Sequence, residues 1–197
     1  MFTGIFDPAF LQSACAHAQK PNEIVAHYIN NPATKGIYIT GTGEISVMYM
    51  EGGIQKTATF NNPDDEPFGN GIVFDANSDL IIQGDVTRFG IGIPNNTSLY
   101  SVDTSKCHSL LAISDINDDA CEIIKLNSEL TELSVGNLKK ISAFYYAANN
   151  SSVTDIVKSA ITYSTINNGV LHTDSNGAYY TTLAAAATAK GWTIEQL

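Results

Sequence analysis

The chain has 197 residues, 44% of them hydrophobic, which is enough to bury a core without disulfides or metals. Its net charge is −10, from 20 acidic and 10 basic residues, and no run of lysine or arginine interrupts this negative charge. Such a charge repels phosphate backbones and anionic lipid headgroups, so we expect neither nucleic acid nor a membrane surface as a partner.

Two short helices are predicted at the start of the chain, in an N-terminal helical segment spanning residues 1–34. Asp7 can cap the first helix, because Pro8 follows it at the first helical position. Pro21 ends that helix and is expected to begin a second one over residues 22–29. A proline-bearing turn then ends the segment.

Residues 35–83 are predicted to form a small β unit. Ile45, Val47 and Tyr49 alternate with other residues, which is the period of a half-buried strand. A Glu-Gly-Gly turn follows them, so residues 55–60 are expected to return as the partner strand of a hairpin.

Residues 84–197 carry the clearest repeat. Apolar residues recur in pairs three residues apart, and the pairs are themselves eleven residues apart, as in Leu99, Leu110 and Cys121. An eleven-residue half-repeat fits a coil of about 20 residues per turn, within the range of leucine-rich repeats. Turn-forming residues interrupt the pattern every few positions, which argues against an amphipathic helix. We therefore predict a short solenoid whose coils bury their apolar edges against one another.

A βαβαβ cap is predicted at the C-terminal end of this solenoid. Residues 153–163 and 176–190 have helical composition, and Gly191 is placed to end the second helix. Residues 170–173 and 192–197 are predicted as strands that pair in parallel through right-handed crossovers. The predicted fold class is thus strand-rich α/β: a leucine-rich-repeat solenoid with N-terminal helices, a small β unit and a C-terminal cap.

Several segments also match a known sequence rhythm. Residues 99–113 follow the pattern L-x-x-L-D-x-S-x-C/N-x-x-L, and residues 130–135 match its opening again. Residues 187–194 end the chain in a manner similar to A-x-x-K-G-W-x-V. These segments resemble the leucine-rich repeats of surface proteins from gut anaerobes and of virion proteins from phages that infect them. Residues 43–59 look like the small β unit that often precedes such repeats, although Met50-Glu-Gly-Gly53 replaces its usual W-G-D-G-like turn.

The resemblance implies a non-enzymatic structural or attachment protein. Secreted members of this group carry an export signal, whereas the N-terminus here has neither a basic nor a long apolar stretch. We therefore predict a phage virion component, assembled in the host cytoplasm, that contacts virion proteins or a host-surface protein or glycan. A homo-oligomer is compatible with this role. The alternative is an adhesin-like binding module, at the cell surface or secreted, and a carbohydrate-active enzyme is the least favoured reading.

The chain contains no familiar catalytic or phosphate-binding motif, and its four histidines lie far apart in the sequence. We therefore predict no catalytic residue, no cofactor and no metal. Residues 75–79 and 115–119 open like calcium loops but lack the later glycine and glutamate. Weak calcium binding and simple chain turning both stay open for these loops.

Two tyrosine pairs are the predicted contact surface: Tyr145, Tyr146, Tyr179 and Tyr180. Successive residues of a strand point to opposite faces, so one member of each pair is expected to face outward. Tyrosine is common in contact surfaces because it combines area with a polar tip. Ordinary packing at the edge of the fold is the alternative. The three cysteines are expected to be small buried hydrophobic residues.

Overall fold

The computed structural model describes residues 20–29, 37–68, 74–91, 99–116, 120–136 and 138–197. Within these ranges the chain forms one mixed sheet of twelve strands together with two helices. The strands are β1 (Glu23–Tyr28), β2 (Ile37–Glu51), β3 (Ile54–Asn61), β4 (Glu66–Phe68), β5 (Ser78–Ile91), β6 (Leu99–Asp103), β7 (Ala112–Ile116), β8 (Ile123–Lys125), β9 (Glu132–Val135), β10 (Ala143–Tyr145), β11 (Val170–Thr173) and β12 (Thr193–Gln196). The helices are α1 (Ser151–Tyr163) and α2 (Tyr180–Lys190).

The prediction of a strand-rich α/β chain agrees with this architecture, but the predicted solenoid led by N-terminal helices is wrong. The sheet runs in the order β12-β11-β10-β8-β6-β1-β5-β2-β3, with β4, β7 and β9 attached beside it. Antiparallel strands from the first half of the chain therefore share one sheet with the parallel strands of the second half. The repeat pattern could not reveal this, because it describes only the strands that repeat.

The second predicted N-terminal helix is replaced by β1. Five of its six residues are buried, Glu23 and His27 as well as Ile24, Ala26 and Tyr28, so the strand is covered on both faces. The strand pairs antiparallel with β5 on one side and with β6 on the other. Pairing on both edges outweighs the weak helix preference of this short segment. The first predicted helix lies outside the described residues.

The predicted β2–β3 hairpin is present, with Glu44 opposite Asn61 and Glu51 opposite Ile54. Its turn uses Gly52 and Gly53 at φ values of 62° and 76°, in the left-handed region that glycine adopts without strain. The proposed division of the chain into three segments at residues 34 and 83 stays a prediction.

The second half of the sheet is a parallel ladder formed by β6, β8, β10, β11 and β12. Its central residues are Val102, Ile124, Phe144, Leu171 and Ile194, which are cross-strand partners in that order. We call these five residues the inner row. They face the core, and a second parallel ladder made of β5, β7 and β9 contributes Phe89, Ile113 and Leu133 to the same core.

The helices and strands predicted after residue 150 are present, although they extend the sheet and do not cap a solenoid. Asn150 caps α1, because its side-chain oxygen accepts a hydrogen bond from the Val153 N–H at 3.1 Å. Gly191 ends α2 with φ 77°, as predicted. Trp192 follows it and donates from its indole nitrogen to the Ile166 carbonyl at 2.8 Å, which joins the end of α2 to the loop after α1.

A buried amide holds one turn of the second half together. Asn127 is 1% exposed, and its Nδ2 donates to the carbonyl oxygens of Cys107 and Leu110 at 2.5 and 2.8 Å. Cys107 and Cys121 are buried, as expected for small hydrophobic residues, while Cys15 lies outside the described residues. Burial raises the pKa of the Cys107 thiol, although hydrogen bonds from its neighbours oppose that effect.

Replacing Asn127 by aspartate tests the importance of this amide. The variant loses both donated bonds and sets a carboxylate against two carbonyl oxygens, so we expect a loss of more than about 3 kcal/mol in the free energy of unfolding. Asn127→Ala removes the bonds without adding charge and should cost about 1–3 kcal/mol. Urea unfolding at pH 7 gives both values. Equal stability of the two variants would contradict the proposed role of the amide hydrogens.

The environment of Glu129 predicts that the free energy of unfolding falls slightly as the pH is lowered into the acid range. Desolvation acts to raise the pKa of Glu129, but hydrogen bonds from Ser128 and from His108, at 2.8 and 3.1 Å, outweigh it and lower the pKa below its ordinary value of 4.5. A carboxylate with a lowered pKa in the folded state stabilises the fold above its unfolded pKa, and this contribution is lost as the pH falls through the folded pKa.

We therefore expect Glu129→Gln to be less stable than the wild type at pH 7, by less than about 1 kcal/mol because the pair is exposed. The difference should shrink below pH 4.5 and vanish well below it. Urea unfolding at a series of pH values measures it, and His108→Ala should reproduce part of the loss. A difference that stays constant from pH 7 to strong acid would refute the assignment.

Candidate contact surface on the parallel strands

One row of polar and aromatic side chains crosses the outward side of the parallel ladder. These residues directly follow the inner row, so they point to the opposite side of the sheet. Cross-strand pairing places them side by side on five neighbouring strands. We call them the ladder row: Asp103, Lys125, Tyr145, His172 and Glu195.

Each member of the ladder row contacts a member on a neighbouring strand. The Nζ of Lys125 lies 3.1 Å from Asp103 Oδ2 and 5.2 Å from the centre of the Tyr145 ring. The rings of Tyr145 and His172 are stacked, with centroids 3.9 Å apart and an interplanar angle of 5°. His172 Nδ1 then lies 3.3 Å from Glu195 Oε2. The five side chains therefore hold one another in position before any partner arrives.

The contacts of Tyr145 determine which part of its ring stays accessible. Lys125 belongs to β8 and His172 to β11, and these strands flank β10 on opposite sides. One ring face is therefore covered by an ammonium group and the other by an imidazole. Tyr145 therefore does not present an open ring face to a partner.

A second row lies beside the ladder row on the same side of the sheet. It consists of the residues that precede the inner row: Ser101, Ile123, Ala143, Val170 and Thr193. The aliphatic members Ile123, Ala143 and Val170 are half-buried, whereas their inner-row neighbours Ile124, Phe144 and Leu171 are completely buried. We call the two rows together the ladder face. It combines a partly exposed apolar strip with a polar and aromatic strip.

The structure separates the four predicted contact tyrosines. Tyr145 lies in the ladder row, but Tyr146 is completely buried, and its hydroxyl accepts from the Asn150 N–H at 3.0 Å. Tyr146 is therefore not accessible to a partner. Tyr179 is 37% exposed and Tyr180 is half-buried, and both lie at the start of α2, away from the ladder face. Their role in contacts stays a prediction.

Sequence reasoning missed the other four members of the ladder row. Each of them directly follows an apolar inner-row residue in the sequence, and this position could have indicated that its side chain faces outward. The spacing from one member to the next is uneven, however, because α1 is inserted between β10 and β11. A fixed period therefore could not align His172 with Tyr145.

The first loop with a calcium-like opening uses its carboxylates for other contacts. Asp75 accepts hydrogen bonds from the N–H groups of Gly52 and Gly53 at 2.8 and 2.7 Å, and so fastens the β2–β3 turn. Asp79 Oδ1 lies 2.7 Å from His27 Nδ1. In the second loop, residues 117–119 lie outside the described residues. Within the described ranges, no group of three or more histidine, cysteine, aspartate or glutamate residues is placed to hold a metal.

A groove of about 450 Å³ lies over the antiparallel part of the sheet. Lys20, Met48 and Met50 line it together with Asp79, which is paired with His27. The His27 side chain is 11% exposed, and the Tyr100 ring meets it edge-on at 6.1 Å. The groove therefore presents one carboxylate that already has a partner, between a lysine and two thioethers.

Comparisons with protein-family models, curated proteins and solved structures found no match to this chain. In the part of the chain that the structure describes, neither helix has both the length and the apolar character needed to cross a bilayer.

A double-mutant cycle on Tyr145→Ala and His172→Ala tests whether the stacking of the two rings contributes to the free energy of unfolding. We expect a coupling of about 0.5–1.5 kcal/mol in the free energy of unfolding, the usual range for aromatic pairs in contact. Urea unfolding of the wild type, both single variants and the double variant gives the value. A parallel cycle on Tyr163 and His172 is the control, because Tyr163 is 71% exposed on α1. Additive effects in the first cycle would show that the stacking contributes nothing.

Proposed function

We propose that this chain is a non-catalytic binding protein that contacts another protein through its ladder face. One observation carries the proposal: the side chains of the ladder row are held in register by their neighbours and still remain partly exposed. A surface that is already ordered loses little side-chain entropy on binding, so more of the contact energy appears as affinity.

The contacts of Tyr145 favour a protein partner over a glycan. Stacking of a sugar ring needs an open aromatic face, and both faces of Tyr145 are occupied by Lys125 and His172. A tyrosine whose ring faces are flanked still offers its hydroxyl group and ring edge for hydrogen bonds and side-on packing, the role that tyrosine fills at many protein interfaces. The neighbouring aliphatic strip supplies apolar area for the same partner.

The charges of the ladder row define what a partner should present. Asp103 and Glu195 stand at its two ends, with Lys125 and His172 between them. Lys125 has three N–H donors, and the contact with Asp103 engages one of them, so donors remain for a carbonyl or carboxylate of the partner. A complementary surface therefore carries acceptors near its centre and cations at its ends.

The assignment to a phage virion is a narrower part of the proposal and rests on the sequence resemblance alone. An adhesin-like module would use the same ladder face. The two proposals are therefore distinguished by the oligomeric state that each one predicts. Virion components commonly form closed symmetric oligomers. Light scattering of the purified chain across a dilution series separates them: a stable trimer or larger ring supports the virion reading, and a monomer at every concentration counts against it.

The ladder face itself can be tested with a displayed library of random peptides selected against the wild-type chain. Binders that also recognise a Lys125→Ala, Tyr145→Ala, His172→Ala variant are removed. We expect the remaining peptides to lose at least about fivefold in affinity for each single variant, since truncating a central contact residue typically costs more than about 1 kcal/mol.

Tyr163→Ala is the matched control, because it removes an exposed tyrosine from a different part of the fold. It should bind the selected peptides as the wild type does. Recovery of no peptide after that removal, with every binder recognising the triple variant, would contradict the proposal. Binding of a glycan panel that depends on Tyr145 would contradict the choice of a protein partner.

A further inference from the structure

The parallel ladder ends at β12 with an open backbone edge. Within the described ranges, β12 pairs only with β11. The N–H groups of Thr193 and Leu197 donate to carbonyls on the β11 side, those of Gly169 and Thr173, at 2.9 and 3.3 Å. Alternate residues of a strand direct their backbone groups to opposite neighbours, so those of Ile194 and Gln196 point away from β11.

The last residue of the inner row, Ile194, is only partly covered at this edge. The first four members of the row are completely buried, whereas Ile194 is half-buried and packs on the core from one side only. Neighbouring strands lie about 4.8 Å apart, so a further strand would set one side chain directly beside Ile194. An apolar residue at that position would continue the buried row.

The ladder row ends on a carboxylate at the same edge. Glu195 contacts His172 on its inner side, and its side chain is 54% exposed. The chain as a whole carries a net charge of −10. A lysine or arginine on a further strand would pair with Glu195 directly across the strands and would be attracted by the overall charge.

We propose that the edge of β12 binds an extended segment of another protein, which adds to the sheet as a further strand. The segment alternates apolar and basic residues, with an apolar side chain beside Ile194 and a cation beside Glu195. Main-chain hydrogen bonds to Ile194 and Gln196 supply affinity, and the alternating side chains supply specificity, as in other cases of strand addition. This interaction uses the backbone edge of β12 and shares only Glu195 with the ladder row, so it does not require Lys125, Tyr145 or His172.

A second copy of this chain fits the edge less well. Antiparallel self-pairing that uses the backbone groups of both Ile194 and Gln196 sets the two Glu195 side chains directly opposite each other. Like charges in that position destabilise a strand pair. Two chains that each carry −10 also repel each other. A basic segment of a different protein has neither disadvantage.

The probe is a short fluorescein-labelled peptide of alternating lysine and valine, followed by fluorescence anisotropy at physiological salt. A peptide of the same composition in scrambled order carries the same charge without the strand pattern. A third peptide replaces lysine by glutamate. We expect binding of the alternating basic peptide, with affinity at least about tenfold higher than that of either control.

Gln196→Pro is the decisive variant. Its missing N–H would have pointed away from β11, so the backbone bonds from β12 to β11 stay intact while the open edge loses a donor. The substitution also removes side-chain contacts of Gln196 with Ser175 and Asp174, both at 3.4 Å, so Gln196→Ala, which keeps the N–H, is the matched control. For Gln196→Pro we expect affinity for the alternating peptide to fall about tenfold or more. Ile194→Lys serves as a second variant, because an inward-pointing charge at an edge opposes strand addition. Thermal unfolding of both proteins checks that they remain folded.

Three outcomes would overturn the proposal. The scrambled peptide could bind as well as the alternating one, which would reduce the interaction to charge attraction. Both folded variants could retain full affinity, which would place the site elsewhere. Light scattering could show a wild-type dimer that Gln196→Pro dissociates, which would make a second copy the occupant. Peptides selected on Lys125, Tyr145 and His172 should still bind Gln196→Pro, so failure here is distinguishable from failure of the ladder face.

Discussion

The in-register pairing of the inner row is the constraint on which the rest of the structure depends. Val102, Ile124, Phe144 and Leu171 are buried side by side because four parallel strands align without offset. A shift of one residue would turn each apolar side chain outward and each polar one into the core. The same alignment therefore fixes the positions of Lys125, Tyr145 and His172 on the other side of the sheet, with no separate device to arrange them.

The fold shows how a polar surface can be ordered without being buried. Contacts within the ladder row run across strands, and each is short enough to limit side-chain rotation: an ion pair, a cation over a ring, a stacked pair and a histidine–carboxylate contact. Each contributes little stability by itself at an exposed position. Their combined effect is to restrict rotamers, which matters more for recognition than for the free energy of unfolding.

Sequence patterns predicted the core of the second half well. Leu99, Leu110 and Cys121, which the repeat placed eleven residues apart, are completely buried. They did not predict the sheet order, because β1 and β5 pair through contacts between distant parts of the chain, which no local period records. The same limit applies to the proposed contact surface: the tyrosine pairs include Tyr145, but its contact with His172 depends on where α1 is inserted.

The central position of β1 also sets the order in which this chain can fold. Glu23 pairs with Gln83, and Tyr28 pairs with Leu99, so the strand lacks its β5 neighbour until residue 91 has been synthesised and its β6 neighbour until residue 103. Closing such long loops is entropically costly and slows folding. During synthesis, β1 remains an unpaired apolar segment on the ribosome while β2 and β3 can already form their hairpin. A chaperone that shields residues 23–28 would therefore be expected to raise the folding yield of this chain more than one that binds the later strands.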